Sequence, residues 1–182
     1  MERTVHSARL ILRRWSESDR VPFQEMNADP RVMEFFPALL TPEETDASIA
    51  RIARHFDRHG FGLYAAELME TRAFIGYIGL SVPAFEAPFI PAVEIGWRLA
   101  SEYWGRGLAT EGAREVVRFA FETLQLPSLV SFTAPANLRS RRVMENIGMV
   151  LDPAGDFDHP RLPEGHRLRR HVLYRLYAHA GE

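Results

Sequence analysis

The chain contains neither cysteine nor lysine. Without cysteine there are no disulfides, no thiolate metal sites and no cysteine nucleophile. Without lysine there is no Schiff-base chemistry and no phosphate-binding P-loop lysine. All 22 basic residues are therefore arginine. No apolar run approaches the roughly 18–20 residues that span a bilayer, so no membrane partner is expected. Residues 1–14 are too charged for a secretory signal, and a cytoplasmic protein is the expectation. An excess of positive charge is missing too: a net charge of −2 offers nucleic acid no general attraction. What is present is 182 residues, 46% of them hydrophobic, enough for one compact domain with a full core. No repeat, low-complexity tract or linker divides it, so residues 1–182 read as a single domain.

Residues 8–14 read as a first strand, with Leu10 and Leu12 on one face. A short helix is expected over 19–26, with Pro22 in its first turn, and another around 31–35. The next helix is signed at both ends. Thr41 is an N-cap, Pro42 takes the first helical position, Glu44 completes a capping box and Gly60 supplies a left-handed stop. Strands are expected at 61–69, 73–82, 92–99, 129–134 and 168–179, with an extended piece starting at 149–151 and a polar loop over 152–165. Residues 108–124 carry the clearest helical stripe, and 138–147 form a short helix with Asn137 as N-cap and Gly148 past its end. The order is that of a mixed α/β (α+β) fold, with an antiparallel first half and a β-α-β unit in the middle.

Gly105 and Gly107 fall between the strand at 92–99 and the helix at 108–124. A helix start leaves N–H groups unpaired and carries partial positive charge, and glycines let backbone approach a ligand closely. Together with Arg106, this makes an anion site suited to a pyrophosphate, although a two-glycine corner can also be only a corner. No Gly-Lys-Ser/Thr follows, which excludes a P-loop. The strand at 129–134 carries no Asp or Glu, which argues against a dinucleotide fold.

The run Tyr103-Trp104-Gly105-Arg106-Gly107-Leu108-Ala109-Thr110-Glu111 resembles the acetyl-CoA pyrophosphate loop of the GNAT acetyltransferases. The run Asn137-Leu138-Arg139-Ser140-Arg141-Arg142-Val143-Met144-Glu145-Asn146-Ile147-Gly148-Met149 resembles their second cofactor motif. Residues 8–15, 27–33 and Glu94-Ile95-Gly96-Trp97-Arg98-Leu99 resemble the branch that contains the ribosomal-protein N-terminal alanine acetyltransferases. Trp104 departs from the Gln or Arg of many superfamily members, but an aromatic is common there in this branch.

The resemblance implies a mostly antiparallel sheet splayed between the fourth strand, 92–99, and the fifth, 129–134, with helices on both faces. It implies acetyl-CoA as acyl donor and a primary amine of a protein, peptide or small molecule as acceptor; no metal is expected, and the chain is expected to be a monomer or homodimer. Trp104, Gly105, Arg106, Gly107, Leu108, Ala109 and Thr110 would hold the pyrophosphate. The backbone of Trp97, Arg98 and Leu99 would pair with pantetheine, beside a bulge near 96–99. Asn137, Ser140 and Arg142, or its neighbours Arg139 and Arg141, would complete the cofactor contacts. Each has a plainer reading: a helix cap, a first-turn serine, a solvated arginine face.

Without cysteine an acyl-cysteine intermediate is impossible, and direct attack in a ternary complex follows. The amine must first lose a proton. An α-amine is easier than a lysine by roughly 3 kcal/mol at neutral pH. Glu94, on the strand face opposite Ile95 and Trp97, is a candidate base, or simply a paired carboxylate. Ser140 is the candidate acid for the leaving thiolate, with Tyr174 and Tyr177 as spares. Asp158 or His159 could touch the acceptor, and the loop 83–91 with Phe85 and Phe89, together with residues 34–36, is expected to wall its site. His159, His166, His171 and His179 are spaced by no metal-ligand pattern. The rival reading is an acyl-CoA-binding module without catalysis, expected if Glu94 and Ser140 both turn away from the thioester.

Overall fold

A computed structural model describes residues 4–178. Eight strands form one sheet: β1 (Val5–His6), β2 (Leu10–Arg13), β3 (Leu63–Leu68), β4 (Phe74–Ser81), β5 (Glu94–Leu99), β6 (Ser128–Thr133), β7 (Val150–Asp158) and β8 (Arg170–Tyr177). Their spatial order is β1-β2-β3-β4-β5-β6-β8-β7. Every neighbouring pair is antiparallel except β5–β6. Among the described residues four α-helices accompany the sheet: α1 (Arg20–Ala28), α2 (Pro42–His59), α3 (Leu108–Arg118) and α4 (Leu138–Asn146).

Local chemistry sets several boundaries. At the start of α2 the Glu44 N–H donates to Thr41 Oγ1 at 3.2 Å, and the Thr41 N–H donates to the Glu44 carboxylate at 2.8 Å. Gly60 ends the helix at φ 74°. One face of the sheet packs Leu10, Ile78, Leu80 and Ile95 against Ala113 and Val116 of α3. The opposite face carries two apolar clusters. Phe23 and Met26 of α1 pack on Val32 and Tyr77 at one side; Phe89, Val130, Phe157 and Leu173 pack together at the other. β5 runs between them in the sheet.

The β4–β5 ladder is regular from Gly76↔Leu99 to Ser81↔Glu94. The parallel β5–β6 pair, by contrast, meets only at Glu94↔Val130. Beyond that contact the strands separate, and the sheet is splayed where the resemblance implied. The bulge expected near 96–99 is absent: the break in register lies between Ala66 and Glu67, on the far side of β4. β5 holds register with β4 without an extra residue, and the opening lies on its β6 side.

Other expectations are corrected. Val5–His6 forms an additional strand against Ile11 and Leu12. Residues 31–35 make turns instead of a helix. The Asp29 carboxylate accepts the Arg31 N–H at 2.9 Å, and Pro37 has no N–H with which to prolong a helix. The helix at 108–124 is α-helical only to Arg118 and closes with a π turn over Phe119–Thr123, where the Leu124 N–H donates to Phe119 O at 3.1 Å. The polar stretch from 152 belongs to β7, which breaks register between Asp152 and Phe157 before pairing again. Its Asp-Pro-Ala-Gly segment lacks the alternation of a paired strand, so only Phe157 betrays it in sequence. The last strand ends at Tyr177, and His179 lies outside the described residues.

Candidate active site

A cleft of about 850 Å³ opens where β5 and β6 part. Its floor at one end is the corner between β5 and α3. Gly105 and Gly107 hold φ 72° and 75°, left-handed values that suit glycine. An added Cβ would meet nothing within 4 Å at Gly105, and at Gly107 only the tip of Arg9 at 3.8 Å. Gly107 is the N-cap of α3, so the first-turn N–H groups of Leu108, Ala109 and Thr110 have no acceptor within the helix. Open space, bare backbone and the positive end of a helix fit an extended pyrophosphate.

The corner is braced from behind. Arg9 donates through Nε to Glu111 Oε2 at 2.7 Å and through Nη2 to Arg106 O at 3.1 Å, while its N–H and Ser7 Oγ donate to Glu111 Oε1. Burial raises the Glu111 pKa, but the Ser7 and Arg9 hydrogen bonds outweigh it and hold the carboxyl below its ordinary range. A carboxylate in the first turn of an anion site is thus compensated by Arg9. The Arg106 side chain lies outside the wall of the cleft, with its guanidinium 5.8 Å from the Tyr103 ring.

The edge of β5 is the second element. Antiparallel residues alternately turn their N–H and C=O toward and away from the partner strand. Ala100 N–H donates to Ile75 O, and Val130 N–H donates to Val93 O, both at 2.9 Å. Even-numbered residues of β5 therefore face β4, and odd-numbered ones face the opened edge. Trp97 and Leu99 present their backbone to the cleft; Arg98, expected with them, turns its backbone to Tyr77 and contributes its side chain instead. The Leu99 carbonyl accepts the Trp104 indole N–H at 2.9 Å. The Trp97 N–H and C=O and the Leu99 N–H remain for an extended ligand.

α4 faces β5 across the opening. Asn137 Oδ1 accepts the Ser140 N–H at 3.2 Å, and its Nδ2 donates to Thr133 Oγ1 at 2.9 Å, so its amide is engaged at both ends as a cap. Ser140 and Arg142 line the cleft, with Ser140 half-buried. Arg139 also lines it, lies 4.3 Å over the Trp104 ring and pairs with Glu34 at 2.7 Å. Arg141 is turned away, donating to the Tyr174 hydroxyl at 3.1 Å. Tyr174 and Tyr177 do not line the cleft.

Among the described residues Glu94 is the only carboxylate in the cleft wall. Burial pushes its carboxyl up to about 7, against a partly opposing hydrogen bond from Ser81 Oγ at 3.1 Å. Gly96, two residues on, has no side chain, and Glu94 Oε1 lies 3.8 Å from where its Cβ would stand. The same cleft is lined by Phe35, Phe36, Phe132, His159 and His171. Phe35 and Phe36 wall the cleft as expected, whereas Phe85 and Phe89 sit behind Phe132, each with ring centroid 5.8 Å from it. Asp158 does not line the cleft. His171 and Phe132 went unnoticed as site residues in the sequence; the alternation of β6 and β8 was the one available signal. Burial holds the pKa of both histidines below its ordinary value, His159 further so beside His171, whose ring is 5.2 Å away.

This geometry agrees with what the chain is similar to. The acetyltransferase (GNAT) domain family matches residues 9–150. The FsC-acetyl coenzyme A-N(2)-transacetylase of Aspergillus fumigatus is 33% identical over 156 residues, covering 81% of this chain; the chain spans only 65% of that relative's length. An acetyltransferase from Agrobacterium tumefaciens str. C58 superimposes with a TM-score of 0.78 at 30% identity, over 97% of this chain and 95% of its own. A ribosomal L7/L12 α-N-protein acetyltransferase solved in complex with coenzyme A shares the fold, with a TM-score of 0.78 at 17% identity over 98% and 100% of the two chains. The chain belongs to the GNAT acetyltransferase family.

Proposed function

We propose that the chain is an acetyl-CoA-dependent N-acetyltransferase that moves the acetyl group to a primary amine by direct attack in a ternary complex. The observation that carries this reading is the single cleft that joins the left-handed glycine corner, the open edge of β5, Glu94 and Ser140. The backbone N–H groups of 105–110 hold the pyrophosphate, and the Trp97 and Leu99 edge receives the pantetheine. Arg142 supplies charge toward the phosphates.

The amine nitrogen attacks the thioester carbon, the C–S bond breaks, and an amide forms. Glu94 accepts the proton that the amine gives up, directly or through one water. A carboxyl pushed up to about 7 suits that task at neutral pH, being more basic than an ordinary glutamate. Ser140 Oγ–H protonates the departing thiolate and recovers its proton from solvent. The inactive-module reading would gain if both side chains turned away from the thioester position; that both line the cleft supports the enzyme. The test is acetyl-CoA consumption screened across N-terminal peptides, amino acids, polyamines and aminoglycosides. Thiol release matched by N-acetylated product supports the reading. Tight acetyl-CoA binding with no amine acetylated returns the module.

A further inference from the structure

On the face of β5 that looks into the cleft, successive side chains are Glu94, the gap at Gly96, and Arg98. Same-face positions lie about 7 Å apart along a strand. The middle position is empty, so an acid and a guanidinium flank a space floored by bare backbone.

The Arg98 guanidinium is unusual in its surroundings. It is half-buried between aromatic rings, 3.8 Å from the Phe36 centroid and 5.2 Å from that of Tyr77. Nη1 donates to Asn27 Oδ1 at 2.5 Å and to Met33 Sδ at 3.4 Å, and Nε is buried with no acceptor. Among the described residues no carboxylate pairs with it, although most of the other arginines with short contacts in this chain have one. The contact it does have is deliberate in build. Asn27 is fully buried and donates to Thr45 Oγ1 at 3.1 Å, which fixes its amide so that oxygen faces Arg98. A chain from α2 through α1 thus holds in the cleft wall a cation that no carboxylate neutralises. Removing a charge from water without a counter-ion is costly, and a bound oxyanion would recover that cost with charge-assisted hydrogen bonds.

We propose that Arg98 is a specificity-determining residue that receives a carboxylate on the acceptor, so that the acceptor is a small apolar amine carrying a carboxylate, of the amino-acid type. This rests on the acetyltransferase reading and names the acceptor class of the same site. The amine lies over Gly96 beside Glu94, the carboxylate meets Arg98, and the apolar body lies against Phe36 and Phe132. Polyamines are disfavoured, because the wall offers one carboxylate against Arg98, Arg139, Arg142 and Arg161.

The test compares phenylalanine with its carboxamide as acceptors, and N-acetylphenylalanine with its amide as ligands by calorimetry in the presence of coenzyme A. Wild type should favour the carboxylate at least about tenfold in both kcat/KM and affinity. Arg98→Gln should bring both ratios to near one. Asn27→Asp keeps the arginine but gives it a counter-ion, and it should shrink the ratios too. Equal handling of carboxylate and amide by wild type, or ratios untouched by both variants, overturns the proposal. A carboxylate preference in binding with no acetyl transfer to any amine would uphold the Arg98 site and sink the acetyltransferase reading instead.

Discussion

At one end of the cleft the wall is largely one stretch, Gly105 and residues 107–110, with the edge of β5 and with Ser140 and Arg142 of α4 beside it; at the other it is side chains from several distant segments, Phe36, Tyr77, Glu94, Arg98, Phe132, His159 and His171. Backbone recognises what does not vary, such as a pyrophosphate or an extended amide chain, and needs only the right φ values and a helix start. Side chains recognise what does vary. On the proposed reading the donor end is mainly a local motif, and the acceptor end is a product of the tertiary fold.

Gly107 carries the largest expected effect. Replacement by valine forces a β-branched residue to a left-handed φ and fills the approach to the corner. Acetyl-CoA affinity by calorimetry should fall at least about 100-fold with the circular dichroism spectrum retained. An unchanged affinity would mean that the donor end does not bind through this backbone. Glu94→Gln comes next and should act at the acceptor end alone. Turnover should drop about 100-fold with acetyl-CoA affinity held. The sign of the pH effect follows from the role. A base works deprotonated, so wild-type kcat/KM should rise with pH through about 7, and this limb should vanish in the variant. A limb that survives unchanged would pass the base role to His159 or His171. Ser140→Ala keeps the backbone cap to Asn137 and should lower turnover about tenfold without altering acetyl-CoA affinity. An unaltered rate removes the serine from thiolate protonation. The smallest effect is expected behind the donor corner. Arg9→Ala uncovers the Glu111 carboxylate beside the first turn of α3, and acetyl-CoA should bind roughly threefold more weakly. Equal weakening with Glu111→Gln in the background would show that charge is not the cause.

The same division explains what could be read from the chain. Gly105, Gly107, Asn137 and the Thr41–Glu44 capping box act within a few residues of themselves, so their conformations follow from local chemistry. The parallel meeting of β5 with β6 was legible as a β-α-β unit, and the faces of β5 followed from its alternation. What escaped depended on distant partners. The placement of the Arg98 side chain depends on Asn27 and Phe36, neither near it in sequence. His171 becomes a wall residue only because β8 lies between β6 and β7. Phe85 and Phe89 read as acceptor walls from their apolar character, yet pack one layer behind, because Phe132 and Phe157 offer them a covered surface. Residues 31–35 have helical composition but are turned by Asp29 and Pro37.

On the proposed reading acetyl-CoA lies in the opening between β5 and β6, held by backbone. Amide hydrogen exchange, resolved by residue with and without saturating acetyl-CoA, tests it most directly. Slowed exchange should concentrate at the N–H groups of Trp97, Leu99 and residues 105–110, with Arg98 N–H, already committed to β4, little changed. Saturable binding that leaves these amides exchanging as before, and protects others instead, would contradict the account.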